Sequence, residues 1–256
     1  MGLSAFLRMI FRIRFIFLHP VRSFRHLVSG KSDYSKIQVN DLSLWLDNPR
    51  VIIEAGAADG VDTLAFSEYF PEAKIFAAEP VKMQFDYLLS ITKSRDNIHI
   101  SNIALSNRDE EAEIYVGKGA GNMGGMGSSS LLKPLRHEAH FPDIKFEERQ
   151  RVKSLKLSSY MNSVGIESVD LLWLDVQGKE LDILMASREI LRHSIRLVHL
   201  EISKVKLYEG MASERDIRRF LSDSGFICVI DKVGAISGNA VFLNNNPYVL
   251  GNKLPS

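Results

Sequence analysis

Two acids and two glycines at a fixed spacing carry the clearest chemistry in this sequence. The segment VIIEAGAADG places Glu54, Gly56 and Gly60 in and around a turn after an apolar run, and KIFAAEP ends a second apolar run on Glu79. Glycine lets a backbone bend sharply and approach a ligand without a Cβ clash, and the N–H groups at a helix start bind a carboxylate. An acid at the end of the second strand can take both hydroxyls of a ribose. The pattern therefore predicts a site for a nucleoside-containing cofactor.

The glycine spacing favours S-adenosylmethionine over a dinucleotide. A GxGxxG turn would need glycines at 56, 58 and 61, but Ala58 and Val61 occupy two of these positions. A pyrophosphate would be repelled by Glu54 and Asp59, whereas Glu54 suits an ammonium group. An NAD-dependent oxidoreductase and a glycine turn without any ligand are the alternatives.

Alternating apolar runs and helical segments predict an α/β fold. Strands are expected at Arg50–Glu54, Lys74–Glu79, Ile98–Ser106, Val169–Asp175 and Arg196–Ile202, and helices at Val61–Phe70, Val81–Thr92, Gly178–Ser187 and Ser213–Ser224. Runs such as VDLLWL are typical of parallel strands that helices cover on both faces. Phe226–Asp231 and Asn239–Leu243 indicate a closing hairpin. We therefore expect a doubly wound, Rossmann-like sheet with an antiparallel C-terminal hairpin.

Charge divides the chain into a basic arm and an acidic body. Residues 1–31 hold six Lys or Arg, and the first acid is Asp33, so the rest has 26 basic and 31 acidic residues. We expect an N-terminal arm over 1–32 and one domain over 33–256, with an insertion at 107–157. The acidic body argues against a nucleic-acid partner. Within the insertion, Gly117–Ser130 has six glycines and is expected to form a flap over the site; a disordered insertion is the alternative.

The arm, MGLSAFLRMIFRIRFIFLHP, has the pattern of a basic amphipathic helix. Arg8, Arg12 and Arg14 leave no apolar run long enough to span a bilayer, and neither a signal peptide nor a myristoylation pattern is clear. Such a helix can lie in a membrane interface. We expect a cytoplasmic protein that contacts the inner membrane face through residues 1–28. Docking on its own domain, a homo-oligomer contact and disorder are the alternatives.

Seven motifs are spread over Val51–Asn244: IIEAGAADGVDTLAF, IFAAEP, NIALSN, SSSLL, LLWLDVQGKELDIL, LEIS and GNAVFLN. Together they resemble the FkbM-type family of class I S-adenosylmethionine-dependent methyltransferases, which commonly has Glu at the position of Gln177 and often Asp at that of Glu54. The resemblance implies S-adenosylmethionine as cofactor and O-methylation, often of sugar hydroxyls in polysaccharides or glycosylated metabolites. It implies a cofactor pocket of Glu54, Gly56, Ala57, Asp59, Gly60 and Glu79, with Ala104 and Ser106 near the adenine.

Methyl transfer to a hydroxyl benefits from a positioned base, and three acids fall near the carboxyl ends of late strands. Asp175 ends the fourth strand, Glu180 lies in the next helix, and Glu201 lies near the end of the fifth strand on the same face as His199. We expect Asp175 to be the base or to position the acceptor, with Glu201 and Glu180 as further catalytic candidates. A helix N-cap is the alternative for Asp175, and a capping role for Glu180.

Three other expectations concern metal, histidines and substrate. Asp175 and Glu201 have oxygen ligands for a divalent ion, but we expect no metal. His199 is expected in the core, and His137 and His140 of HEAH at the surface. The leading functional expectation is O-methylation of a glycan, a glycolipid or a glycosylated metabolite. A soluble metabolite, a protein side chain, and a non-catalytic cofactor-binding module are the alternatives.

Overall fold

The computed structural model describes residues 37–119 and 126–250. The expected arm over residues 1–32 lies outside the described residues, as do positions 120–125 of the Gly117–Ser130 segment. Within the two described ranges, no helix has the length and apolar character needed to cross a membrane.

A seven-stranded sheet forms the centre of the described chain. In spatial order, with labels numbered along the chain, its strands are β3 (Ile98–Ser101), β2 (Lys74–Ala78), β1 (Val51–Ala55), β7 (Val169–Leu174), β8 (Ile195–Ser203), β10 (Ser237–Asn244) and β9 (Phe226–Val233). The first five are parallel, and β10 is antiparallel to both of its neighbours. The sheet confirms the predicted Rossmann-like fold with an antiparallel C-terminal hairpin.

Helices cover both faces of this sheet because apolar side chains alternate between the faces along each strand. One face packs against the later helices of the chain, α5 (Leu157–Ser163), α6 (Glu180–Ala186), α7 (Arg188–Ser194) and α8 (Glu214–Asp223). The other face packs against α1 (Val39–Leu42), α2 (Val61–Tyr69) and α3 (Lys82–Thr92). Two short α-helices, α4 (His137–His140) and α9 (Pro247–Leu250), and a 3₁₀ helix at Met126–Ser128 complete the set in the described ranges.

Residues 107–157, expected as an insertion that includes the Gly117–Ser130 flap, contain two long strands. β5 (Glu110–Lys118) pairs with β6 (Lys145–Leu155), which also pairs with the short β4 (Ala104–Leu105). The expectation of one strand over Ile98–Ser106 is therefore wrong. The chain leaves the main sheet after Ser101, where the Ile103 amide donates to the Ser101 carbonyl at 3.0 Å, and joins the second sheet at Ala104.

The order of the strands reverses between β1 and β7, which are neighbours in the sheet. From β1 the chain continues to β2 and β3 on one side, and from β7 to β8 on the other. Ligands of open α/β sheets bind in the crevice beyond the carboxyl ends of the strands at such a point. The fold therefore brings the turn after β1 and the loop after β7 to one place.

Candidate active site

Three residues with left-handed backbone shape the turn after β1. Gly56, Ala58 and Gly60 have φ values of 85°, 46° and 76°. A Cβ at Gly56 would lie 1.9 Å from the carbonyl oxygen of Asp175, so only glycine lets the turn pack against the end of β7. A Cβ at Gly60 would lie 2.5 Å from Cδ1 of Leu88, so this glycine makes room for α3.

Glu79 fixes the same turn from the end of β2. Its buried carboxylate accepts hydrogen bonds from the Ala58 amide at 2.9 Å and the Val81 amide at 2.8 Å. Burial raises the pKa of Glu79 to about 7, although these two hydrogen bonds act to lower it. Because each carboxylate oxygen accepts more than one hydrogen bond, Glu79 can hold the turn and still bind ribose hydroxyls.

A cavity beside Glu79 has the lining of a nucleoside pocket. Much of its wall is apolar and consists of Ile103, Ala104, Leu105, Ile114 and Leu131. Gln84 also lines this cavity, and its buried amide nitrogen has no hydrogen-bond partner among the described residues. Ala104, predicted to lie near the adenine, is thus part of the lining of this cavity. Ser106, for which the same prediction was made, lines an adjoining recess, and its Oγ donates to Oδ1 of Asn107 at 3.2 Å.

A larger cleft of about 730 Å³ adjoins this cavity and shares Gly56, Ala58 and Asp175 with it. Ala57 lines the cleft together with six acids, namely Glu54, Asp59, Asp62, Glu68, Asp175 and Glu201. Asp59 is exposed, and its Oδ1 accepts a hydrogen bond from the Val61 amide at 3.2 Å. An acidic cleft suits a ligand with positive charge or with many hydroxyl groups.

Glu54 lies at the end of β1, where the cleft begins. It is buried, and Oγ1 of Thr63 donates to its Oε2 at 2.5 Å. Burial, followed by the charge of Asp62, raises the pKa of Glu54 well above its ordinary value. A cationic group nearby would favour the ionised form again. Glu54 therefore fits the ammonium group of an amino-acid-bearing cofactor.

Asp175 and Glu201 come together in the cleft. Asp175 directly follows β7, Glu201 lies in β8, and Nε2 of Gln177 donates to Oδ1 of Asp175 at 2.7 Å and to Oε2 of Glu201 at 2.8 Å. Burial and the neighbouring Glu201 raise the pKa of Asp175 well above its ordinary value. The alternative of Asp175 as a helix N-cap is wrong, because the N-cap of α6 is Lys179. A half-buried carboxylate pair of this kind can accept and return a proton.

Glu180 stabilises the loop between β7 and α6. Its buried Oε1 accepts hydrogen bonds from the amides of Val176 and Gly178, both at 3.2 Å. Burial raises the pKa of Glu180 to about 7. Neither the nucleoside cavity nor the acidic cleft includes Glu180 in its lining. These contacts favour the capping role over the catalytic one.

The burial of one histidine agrees with the prediction from the sequence, and that of another does not. His199 lies in the core as expected, with its ring 3.3 Å from that of Trp173 and nearly parallel to it. Burial lowers the pKa of His199 to about 3, against an opposing effect of Asn239. His137 was expected at the surface, and this is wrong. It is buried among the rings of Phe141, Phe146 and Tyr208.

Several lining residues belong to the site without having been predicted. They are Gln84, Gly127, Ser129, Lys179, Trp173 and Asn239. Motifs of the sequence contain Ser129 (SSSLL), Trp173 and Lys179 (LLWLDVQGKELDIL) and Asn239 (GNAVFLN), whereas Gln84 and Gly127 stand in none of them. In the part of the chain that the structure describes, no group of three His, Cys, Asp or Glu side chains is arranged to hold a metal ion.

The chemistry of these residues fits S-adenosylmethionine. Glu79 and the unpaired amide nitrogen of Gln84, beside apolar walls, suit an adenosine. The Gly56 turn and Glu54 suit the carboxylate and ammonium groups of a methionine. The acidic cleft beyond them leaves room for an acceptor.

Comparison with known proteins agrees with this assignment. Residues 54–228 match the methyltransferase FkbM domain. The 2-O-methyltransferase NoeI of Sinorhizobium fredii is 27% identical over 198 residues, which are 77% of this chain and 81% of NoeI. A crystal structure of methyltransferase FkbM from Methylobacillus flagellatus has a TM-score of 0.51 at 10% identity and shows the shared fold. The likeness covers 89% of this chain but only about half, 52%, of that protein. The chain belongs to the FkbM family and is an S-adenosylmethionine-dependent methyltransferase.

Proposed function

We propose that this enzyme methylates a hydroxyl oxygen of a carbohydrate-containing acceptor, which is a glycan, a glycolipid or a glycosylated metabolite. The observation that carries the proposal is the Asp175–Glu201 carboxylate pair, which lies in the acidic cleft directly beside the nucleoside cavity. A hydroxyl is a weak nucleophile until a base takes its proton. The cleft is also large and rich in acceptors for hydroxyl groups. The name of the relative NoeI, a 2-O-methyltransferase, supports an oxygen acceptor.

In this reaction the chain positions the acceptor and takes one proton. S-adenosylmethionine supplies a sulfonium methyl group for in-line displacement. The Asp175–Glu201 pair would take the hydroxyl proton while the methyl group passes from the sulfur to the oxygen, which leaves the bond's electron pair on the sulfur of S-adenosylhomocysteine. A positioned base of this kind accelerates transfer by about 10²–10⁴-fold. Asp62 and Glu68 accept hydrogen bonds from other hydroxyls of the acceptor. Alignment of the reacting atoms supplies most of the remaining acceleration.

The test is transfer of a labelled methyl group to separate panels of glycans, glycolipids, soluble metabolites and proteins. Asp175→Asn and Glu201→Gln should lower kcat by about 10²–10⁴-fold while the Kd for S-adenosylmethionine changes by less than about threefold. Asp96→Asn, at an exposed position between α3 and β3, is the matched control and should keep full activity. Transfer confined to protein side chains or to metabolites without sugar would contradict the acceptor class, and full activity of both carboxylate variants would contradict the base.

The proposal extends to the place of the reaction. Residues 1–28 carry Arg8, Arg12, Arg14, Arg22 and Arg25 and no acid, whereas the body is acidic. Such a segment is attracted to anionic lipid headgroups. The full chain should sediment with anionic vesicles at low salt, and a chain without residues 1–30 should not. Equal sedimentation of the two chains would contradict a membrane role for this segment.

A further inference from the structure

Gln177 connects the two carboxylates of the proposed base. Its side-chain nitrogen lies 2.7 Å from Oδ1 of Asp175 and 2.8 Å from Oε2 of Glu201. Two neighbouring carboxylates repel each other, and an amide NH₂ group can donate one hydrogen to each of them. Among side chains of this length, only glutamine offers two donors without a charge. Gln177 therefore reduces the repulsion without neutralising the pair.

Gln177 is itself held in place by its neighbours. Its backbone is left-handed, with φ of 52°, and its carbonyl accepts a hydrogen bond from Oγ of Ser130 at 2.7 Å. Its Oε1 lies 3.1 Å from the hydroxyl of buried Tyr208, which also lies 2.6 Å from the carbonyl oxygen of Ser128. The side-chain amide cannot rotate without losing contacts at both of its ends.

The stretch that holds Gln177 also covers the nucleoside cavity. Gly127 and Ser129 line that cavity. Ser130 forms an antiparallel bridge with Tyr115 of β5, with N···O distances of 2.8 and 3.0 Å. Along residues 127–130, Gly127 and Ser129 line the cofactor cavity, whereas Ser128 connects to Gln177 through Tyr208 and Ser130 contacts Gln177 directly. A change in this cover would reach the carboxylate pair through Gln177.

We propose that Gln177 is a positioning residue that holds the carboxylates of Asp175 and Glu201 side by side and aligns them, through Tyr208 and Ser128, with the cover of the cofactor cavity. The proposal rests on the proposed function, in which this pair takes the acceptor's proton. The other titratable groups around the pair are Glu54 of β1, Asp62 of α2, Glu79 after β2, Glu180 of α6, His199 of β8, Tyr208, and Lys179, which lines the cofactor cavity with Asp175. The acids, His199 and Tyr208 carry no positive charge at neutral pH, and the ammonium of Lys179 pairs with Asp182. The amide of Gln177 donates to both carboxylates and therefore favours their ionised forms.

The test measures the titration of the Asp175 and Glu201 carboxyl groups and needs no acceptor substrate. The full chain, with ¹³C-labelled carboxyl groups in Asp and Glu and with S-adenosylhomocysteine added, is titrated by NMR as wild type, Gln177→Leu and Gln177→Asn. Asparagine is one methylene shorter and cannot reach both carboxylates. Because hydrogen bonds to the ionised form lower a pKa, both variants should shift the titration of the pair upward by about one pH unit. Gln150→Leu, which removes an amide bonded to Pro80, is the control and should cause no shift.

Two results separate this inference from the proposed function. Unchanged titration in both Gln177 variants, with S-adenosylhomocysteine binding retained, would overturn the positioning role; should Gln177→Leu fail to fold, Gln177→Asn alone decides. On an acceptor found in the methyl-transfer screen, the acid limb of the kcat profile should shift upward with the titration while the KM for S-adenosylmethionine stays constant. If Asp175→Asn and Glu201→Gln left transfer intact while the Gln177 variants still shifted the titration, the base assignment would fail and the bridging role would stand.

Discussion

At the scale of single residues, Glu79 combines a structural and a binding task. Its carboxylate holds the turn through the amides of Ala58 and Val81, and burial raises its pKa to about 7. Glu79→Gln should raise the Kd for S-adenosylmethionine about tenfold or more, because a neutral amide forms weaker hydrogen bonds to ribose hydroxyls. Calorimetry measures this, with exposed Glu72→Gln as control. An unchanged Kd would remove Glu79 from the cofactor site.

Gly56 gives a second prediction. Two features require glycine there, a left-handed backbone and a close approach to another chain segment, and Gly165 has only the first of them. Gly165 has a similar left-handed backbone, φ 69° against 85°, but open space around its Cβ position. Gly165→Ala should cost about 1–2 kcal/mol of unfolding free energy. Gly56→Ala should cost at least about 2 kcal/mol more, because its Cβ would meet the Asp175 carbonyl oxygen at 1.9 Å. Urea unfolding of both variants tests this. Equal decreases in unfolding free energy would mean that the contact with the Asp175 carbonyl oxygen does not add to the cost of the substitution.

The residues that the sequence revealed are those whose roles follow from strand ends. Glu54 and Glu79 are recognisable because burying an acid at the end of an apolar run is costly unless the acid binds something. Gly56 is recognisable because a glycine at such a strand end permits a left-handed turn. Tyr208 and Gln84 were not predictable, because their contacts come from elements distant in sequence. The hydroxyl of Tyr208 meets a carbonyl 80 residues earlier, and sequence spacing contains no information about such a meeting.

At the scale of elements, the main sheet was predictable and the second sheet was not. Strands such as β7 and β8 are continuous apolar runs. Such runs can be recognised from the local sequence, without knowing which strand they pair with. The break after Ser101 leaves no such signal, because β3 and β4 both contain apolar residues and differ only in the strand they pair with. The burial of His137 was missed for the same reason, since its aromatic partners include Tyr208, far along the chain.

The Tyr208 hydroxyl is one of the contacts between the second sheet and the main domain, and it gives an element-scale prediction. Removing its hydroxyl by Tyr208→Phe should lower the opening free energy at the Ser130 amide by about 1 kcal/mol, the usual contribution of one buried hydrogen bond. Hydrogen exchange at Ser130 and Tyr115, which bond each other, measures the loss. Tyr160→Phe removes another buried hydroxyl, bonded to Ser101 at 3.3 Å, and should leave this exchange unchanged. Equal exchange in both variants would show that the docking rests on apolar packing alone.

At the scale of the whole molecule, buried and half-buried acids concentrate at the carboxyl ends of the sheet. Glu54, Glu79, Asp175 and Glu180 all have pKa values raised by burial. Keeping them in the fold without a ligand favours their protonated forms. A donor that carries both a sulfonium and an ammonium group favours their ionised forms instead. The arrangement therefore destabilises the ligand-free fold at high pH. Binding of a cationic ligand removes this destabilisation, which adds to the binding free energy.

This concentration of acids predicts how stability depends on pH. An acid with a raised pKa stabilises the fold below its unfolded value, and this contribution is lost as pH rises through the folded value. For Glu79 and Glu180 that change runs from 4.5 to about 7. The pKa of His199 is lowered from 6.5 to about 3, so its contribution makes the unfolding free energy rise with pH. Most of that rise occurs below pH 6.5. Between about pH 6.5 and pH 8.5 the acids therefore dominate, and the unfolding free energy should fall by at least about 1 kcal/mol.

Urea unfolding at these two pH values, with and without S-adenosylmethionine, checks that expectation. Glu180→Gln should make the fall smaller in the ligand-free protein, because it removes one raised acid and keeps an acceptor for the amides of Val176 and Gly178. The cationic donor should stabilise the fold more at the higher pH, whereas S-adenosylhomocysteine, which lacks the sulfonium charge, should show a weaker dependence. If the unfolding free energy of the ligand-free protein rose between these two pH values, the acids would ionise in the fold without cost. The site would then show no preference for a positively charged ligand.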